Sequence, residues 1–196
     1  MLKNSFILAV SSFGLFACGV SENSDPQMVW GDLVQAVSSG PQYGLAAPGS
    51  CMDARGQVVE MIALPTESLA REGGFLAVSF LSNGHDDPVI LYDEDLMFYM
   101  HPLTQRFILD HECAHHEQGH LYANPSQQSY WSVEGEADCI AIDKMRRNSS
   151  DPDGDIKVVV ADLNTFFSLN SYLEASFVTE RVESVLGCFE NSAPSL

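Results

Sequence analysis

Residues 106–122 read RFILDHECAHHEQGHLY, and four of the chain's six histidines fall inside them. The core of the stretch, His111-Glu112-Cys113-Ala114-His115, is an H-E-x-x-H motif. On a helix, side chains at i and i+4 project from one face, a turn apart. That spacing places two imidazole nitrogens where one tetrahedral metal ion, above all Zn²⁺, can take both. Glu112 lies round the helix from this ligand line, within reach of a water at the metal but not of the metal itself. It is the position of a general base: zinc lowers the pKa of water and the carboxylate accepts the proton.

A third ligand has to come from another element. The stretch SVEGEADCIAIDKM, residues 132–145, supplies Glu134 and Asp138, again at i and i+4. Glu134 can complete a His₂Glu set with an open fourth position. Asp138 can accept a hydrogen bond from the far nitrogen of a ligand histidine and fix its tautomer. Glu136 is the rival ligand, on the opposite side of a helix; only Glu134 puts Asp138 on the same face. His116 lies about 100° round from His115 and reads as a helix-surface or supporting residue. His120, at i+5, is off the ligand line and reads as a cation at a helix end. His101 and His85 read as bystanders, and Tyr122 and Tyr130 as packing aromatics. The acidic alternation DPDGD, 151–155, resembles part of a calcium loop, but Ile156 stands where such a loop needs glycine, so it reads as a solvated turn.

These residues need elements to hold them. Leu103, Phe107, Ile108 and Ala114 leave a helical trace over 102–122. NPSQQ, 124–128, breaks it, and a second helix runs over 130–147, burying Trp131, Val133, Ala137, Ile140, Ala141 and Met145. NSSDPDGD, 148–155, reads as loop; 158–170 and 172–190 read as two helices, or one broken near Asn170. Ahead of the motif, residues 57–65, 74–82 and 88–93 are β-branched and aromatic stretches between turn signals, which predicts three strands. A short helix is expected over 31–39 and a turn-rich loop over 40–51. Strands first and helices after is the order of an α+β domain.

H-E-x-x-H followed by E-x-E-A-D resembles the gluzincin metallopeptidases, closest to the HtpX-like and CAAX-protease-like branch. There the motif often continues x-x-x-G-H, as His116-Glu117-Gln118-Gly119-His120 does here. The resemblance covers about residues 88–145. It implies a small zincin-like fold: a short N-terminal sheet, the H-E-x-x-H helix, a third-ligand helix and C-terminal helices. It also implies a Zn²⁺ cofactor held by His111, His115 and Glu134, with Glu112 as catalytic base and Asp138 supporting a ligand. The substrate would be a peptide or protein. In zincins an edge strand beside the motif helix holds it extended, and by chain order 88–93 is the candidate. Two departures stand out. The branch's flanking transmembrane helices are missing. Its C-terminal Ser/Thr-His-Pro ahead of an arginine falls at Ser176, Phe177 and Val178, with Arg181 kept, so a histidine that could assist oxyanion stabilisation is lost. The metzincin continuation does not fit, because Gln118 and Leu121 stand where glycine and histidine are needed.

The 196 residues suit one domain. Nine Lys+Arg against 27 Asp+Glu give a net charge of −18, which argues against nucleic acid or an anionic membrane surface as partner. Lys3 followed by the apolar stretch 6–17 reads as a secretory signal over 1–17, too short to span a bilayer. Leu15-Phe16-Ala17-Cys18 resembles a lipobox, which makes Cys18 a lipidation site, 18–30 a tether and 31–196 a single metallopeptidase-like domain. Export to the periplasm or cell envelope follows, with membrane contact only through the lipid. Cys51, Cys113, Cys139 and Cys188 then suggest disulfides, in any of three pairings. A Cys113–Cys139 bridge clamping the site is one option and buried thiols another. The sequence thus points to an exported zinc metallopeptidase. The alternatives are a non-catalytic metal-binding envelope lipoprotein acting in binding or assembly, and a zinc amidase or peptidoglycan hydrolase.

Overall fold

A computed structural model describes residues 41–71, 76–82, 87–123, 129–169 and 175–191. The expected signal segment, Cys18, the tether, the 31–39 helix and His85 lie outside the described residues. The chain is α+β: a three-stranded sheet followed by a group of helices. Strands β1 (Glu60–Leu64), β2 (Ala77–Ser82) and β3 (Asp87–Asp93) lie in the order β1-β3-β2. β3 runs parallel to β1 and antiparallel to β2. The stretch expected to be the edge strand, 88–93, is therefore the central one. Its near-continuous apolar run, Pro88 to Tyr92, suits a strand buried on both faces, and the edges fall to β1 and β2.

Helices α1 (Thr66–Arg71) and α2 (Glu94–Met97) are too short to leave a helical period in the sequence, and were not expected. The longer ones are α3 (Pro102–Glu117), α4 (Tyr130–Asn148), α5 (Pro152–Leu169) and α6 (Ala175–Asn191). α5 starts inside the expected loop. Asp151 accepts from the Gly154 N–H at 3.2 Å, Pro152 takes the first helical position, and Asp153 and Asp155 sit in the first turn. The alternating carboxylates are thus a cap and partners for the helix dipole, not a turn.

α3 is the centre of the molecule. Phe107 and Ile108 join Ala141, Ile142 and Met145 of α4, Ile156, Val159 and Leu163 of α5, and Ile90 of the sheet in one core. Two disulfides tie this arrangement. Cys51–Cys113 joins the segment before β1 to α3, with Cα atoms 5.7 Å apart, and Cys139–Cys188 joins α4 to α6, at 4.9 Å. The Cys113–Cys139 clamp does not form, because Cys113 faces the segment before β1 while Cys139 faces α6. No helix among the described residues is long and apolar enough to cross a membrane.

At the end of β3, Asp93 is fully buried. Its Oδ1 accepts from the Leu96 N–H at 2.9 Å, starting α2, and from Thr66 Oγ1 at 2.8 Å, starting α1. Burial pushes its carboxyl up to about 6, against these hydrogen bonds, with Asp95 nearby adding repulsion. A raised carboxyl favours the folded state while it is protonated. That contribution is complete below about pH 4 and is lost as pH rises through about 6. Asp93→Asn keeps the acceptor oxygen and removes the ionisation. It should flatten the fall in unfolding free energy between pH 4 and 7, a difference on the order of 3 kcal/mol by urea titration.

Candidate metal centre

α3 is polar in sequence yet buried along its length: from Phe107 to His116 every side chain is inside. Its start is set by His101, the expected bystander, whose Nδ1 accepts from the Leu103 N–H at 3.2 Å, with Pro102 next. Gln105 pins the 41–50 segment across this end, donating to Gly44 O at 2.7 Å and accepting from Ala46 N–H at 2.7 Å. Its end is set by Gly119, at φ 71°, a left-handed conformation that glycine adopts without strain. The helix therefore stops at Glu117 rather than running to Tyr122. A 3₁₀ turn, His120–Tyr122, follows.

Buried polar groups must find partners inside. His111 and His115 direct their Nε2 atoms to one point, 3.2 Å apart. Glu134 enters from α4, Oε2 at 3.4 Å from His111 Nε2 and Oε1 at 3.6 Å from His115 Nε2. All three residues are fully buried. In a tetrahedron with metal–ligand bonds of 2.0–2.1 Å, ligand atoms stand about 3.3 Å apart. The donor set and its spacing therefore fit a metal ion, and this buried group could hold one. Glu136, the rival ligand, is outside the group, with its side chain 53% exposed.

The two histidines are each held from behind. His111 Nδ1–H donates to Asp138 Oδ1 at 2.8 Å, and Asp138 Oδ2 accepts from Ser184 Oγ of α6 at 3.2 Å. The hydrogen bond to His111 is the one expected of Asp138. His115 Nδ1 lies 2.9 Å from Nδ1 of His120, which is buried rather than free at a helix end. Glu112 is also fully buried, with Oε2 2.7 Å from Ser79 Oγ of β2; the same hydroxyl lies 2.7 Å from the Glu112 carbonyl oxygen. Sequence reasoning missed Ser79; the only trace it leaves is a hydroxyl in the middle of the apolar strand AVSFLS, whose other serine, Ser82, ends it.

His116 faces away from this donor group. Its Nε2–H donates to Val89 O of β3 at 3.0 Å, tying α3 to the central strand. Burial pushes it down to about 4, so it is neutral near pH 7. Tyr122 donates to Asp53 Oδ2 and carries Arg55 over its ring at 4.5 Å. Burial works to raise Asp53, but hydrogen bonds from Tyr122, Gln57 and Arg55 hold it well below the usual carboxylate range. Tyr122 itself is pushed up to about 12 by burial and by that bond. This cluster fastens the segment bearing Cys51 to the end of α3. The side chains of Tyr130, Trp131, Ser176, Phe177, Val178 and Arg181 lie outside the described ones.

Comparison with family models, curated proteins and solved structures gave no match, so the site is read from its geometry.

The donor set predicts about one divalent metal ion bound per chain after equilibration with zinc and gel filtration. His111→Ala and Glu134→Ala should abolish stoichiometric retention, and Glu136→Ala should keep it. Asp138→Ala should weaken zinc roughly 10–100-fold, measured by chelator competition.

Proposed function

We propose that this chain is an exported zinc-dependent metallopeptidase of the gluzincin kind. The observation that carries the reading is a fourth residue, an acidic one, beside the three-donor group: Glu112, adjacent to His111 on α3 and fully buried against Ser79. Three protein ligands leave a coordination position open, as catalytic zinc sites do and closed structural sites do not.

His111, His115 and Glu134 would hold the ion. Zinc, when bound, supplies Lewis acidity: it polarises a carbonyl and makes water acidic enough to lose a proton near neutral pH. Glu112 takes the proton of the attacking water and returns it to the departing amine. Ser79, bonded to the carboxylate Oε2, limits its rotation. Asp138 keeps the His111 proton on Nδ1 and its lone pair on Nε2. Among the described residues β2 pairs only with β3, so its other edge has no strand partner, and it packs against α3. A peptide adding there in extended form would have main-chain partners, in place of the edge first assigned to 88–93.

The disulfides support export, since such bonds persist in oxidising compartments. With the N-terminal signal pattern they favour a protein of the cell envelope, tethered by lipid at Cys18. Complete burial of His111, Glu112, His115 and Glu134 favours a second reading: a metal-holding envelope protein that binds or assembles without catalysis.

Glu112→Gln separates the two. On the peptidase reading it retains zinc and loses at least about 10²-fold in kcat/KM on a cleaved peptide. A zinc-loaded parent that cleaves nothing in a peptide library, and whose loss phenotype Glu112→Gln fully complements, would establish the second reading instead.

A further inference from the structure

His111 and His115 are supported by different devices. Behind His111 the partner is a buried carboxylate, Asp138. Behind His115 it is a second imidazole. His115 Nδ1 stands 2.9 Å from His120 Nδ1, and His120 Nε2 stands 3.4 Å from Glu136 Oε2. His120 is buried while the Glu136 side chain is 53% exposed, so the row of groups leads from the metal centre to solvent.

Proton placement along the row follows from the ligand geometry. His115 presents Nε2 to the donor group, so its lone pair is there and its proton is on Nδ1. Two Nδ1 atoms at hydrogen-bond distance need one donor and one acceptor. His120 Nδ1 is then the acceptor, which puts the His120 proton on Nε2. That proton points to a group that only accepts, the Glu136 carboxylate. Each choice requires the next, and no atom in the row is left with the wrong role.

The chain's course explains how His120 reaches this place. On a continuing helix, position 120 would lie well round from 115. Gly119, at positive φ, ends α3 and the 3₁₀ turn swings the His120 ring back over His115, with ring centroids 5.0 Å apart. Glu136 comes from α4, two residues past Glu134. The helix that supplies the third ligand thus also supplies the far end of the support for the second.

We propose that His120 and Glu136 form a positioning relay that fixes His115 as an Nε2 ligand, so that zinc affinity depends on two residues that never touch the metal. The proposal rests on the His111–His115–Glu134 metal centre. The test uses the full chain, with zinc dissociation constants from chelator competition and the His115 tautomer read by ¹⁵N NMR of the zinc-loaded protein. His120→Ala should weaken zinc roughly 10–100-fold. His120→Asn sets an amide oxygen near the former Nδ1, restores an acceptor, and should recover most of that loss. Glu136→Gln, which keeps a neutral acceptor, should weaken zinc less than His120→Ala. In the parent, His115 should show its proton on Nδ1. Equal zinc affinity in His120→Ala and the parent, equal losses in His120→Ala and His120→Asn, or a His115 proton absent from Nδ1 would each overturn the relay. A parent that binds no zinc would overturn the metal centre itself, a distinct result. If His120→Ala does not fold, the His120→Asn affinity and the parent's tautomer still decide.

Discussion

Two imidazole nitrogens and a carboxylate meet within 3.6 Å of one another, in a place where all three residues are fully buried. A carboxylate taken out of water is costly unless a positive charge or donated hydrogen bonds offset the loss. A divalent cation at the point of convergence meets that requirement and uses the lone pairs of both histidines. Metal binding to such a site is coupled to folding, because the unfolded chain offers no assembled set of donors. The rest of the molecule can be understood as the scaffold that brings α4 against α3 at this depth.

The disulfides bear directly on that scaffold. Cys113 follows Glu112 immediately, so the bridge to Cys51 anchors α3 beside the motif; Cys139 follows Asp138, so the bridge to Cys188 anchors α4 one turn on from Glu134. Their sequence separations are 62 and 49 residues, and closing loops of such length in the unfolded chain is worth about 4 kcal/mol each in the chain-entropy picture. Both covalent ties therefore stabilise the two helices that must converge, at residues adjacent to the groups they must align. A strongly acidic domain that brings four acidic residues, Glu112, Glu134, Asp138 and Glu136, around one centre has need of such ties.

The parts of the site legible in the sequence are those governed by local periodicity. H-E-x-x-H and the Glu134–Asp138 pair are both i, i+4 patterns, and the helices bearing them end within a residue of expectation, except where Gly119 intervenes. That glycine was itself a readable helix stop, and its neglect left His120 assigned to a helix end instead of to His115. Strand order was not legible, since β3 pairs with strands on either side of it by non-local contacts that local alternation does not encode. Ser79 was hidden for the same reason: its partner Glu112 is 33 residues away. Disulfide pairing followed from which face of each helix the cysteine occupied, a matter of packing rather than spacing.

Glu112 is the residue on which the two proposed readings differ. Its neighbour Ser79 could hydrogen-bond an amide at the same place, and a neutral amide is cheaper to bury than a carboxylate. As far as the bond to Ser79 goes, a site that only holds a metal gains nothing from glutamate over glutamine at 112. On the peptidase reading proposed above, an ionisable group is kept at 112 because its proton would be used; on the second reading its burial alone is what counts. The same logic applies to Ser79, whose hydroxyl can donate to a carboxylate and accept from a carboxylic acid. It can stay bonded to Glu112 Oε2 in either protonation state, so the carboxyl can cycle between them without leaving a buried partner unsatisfied.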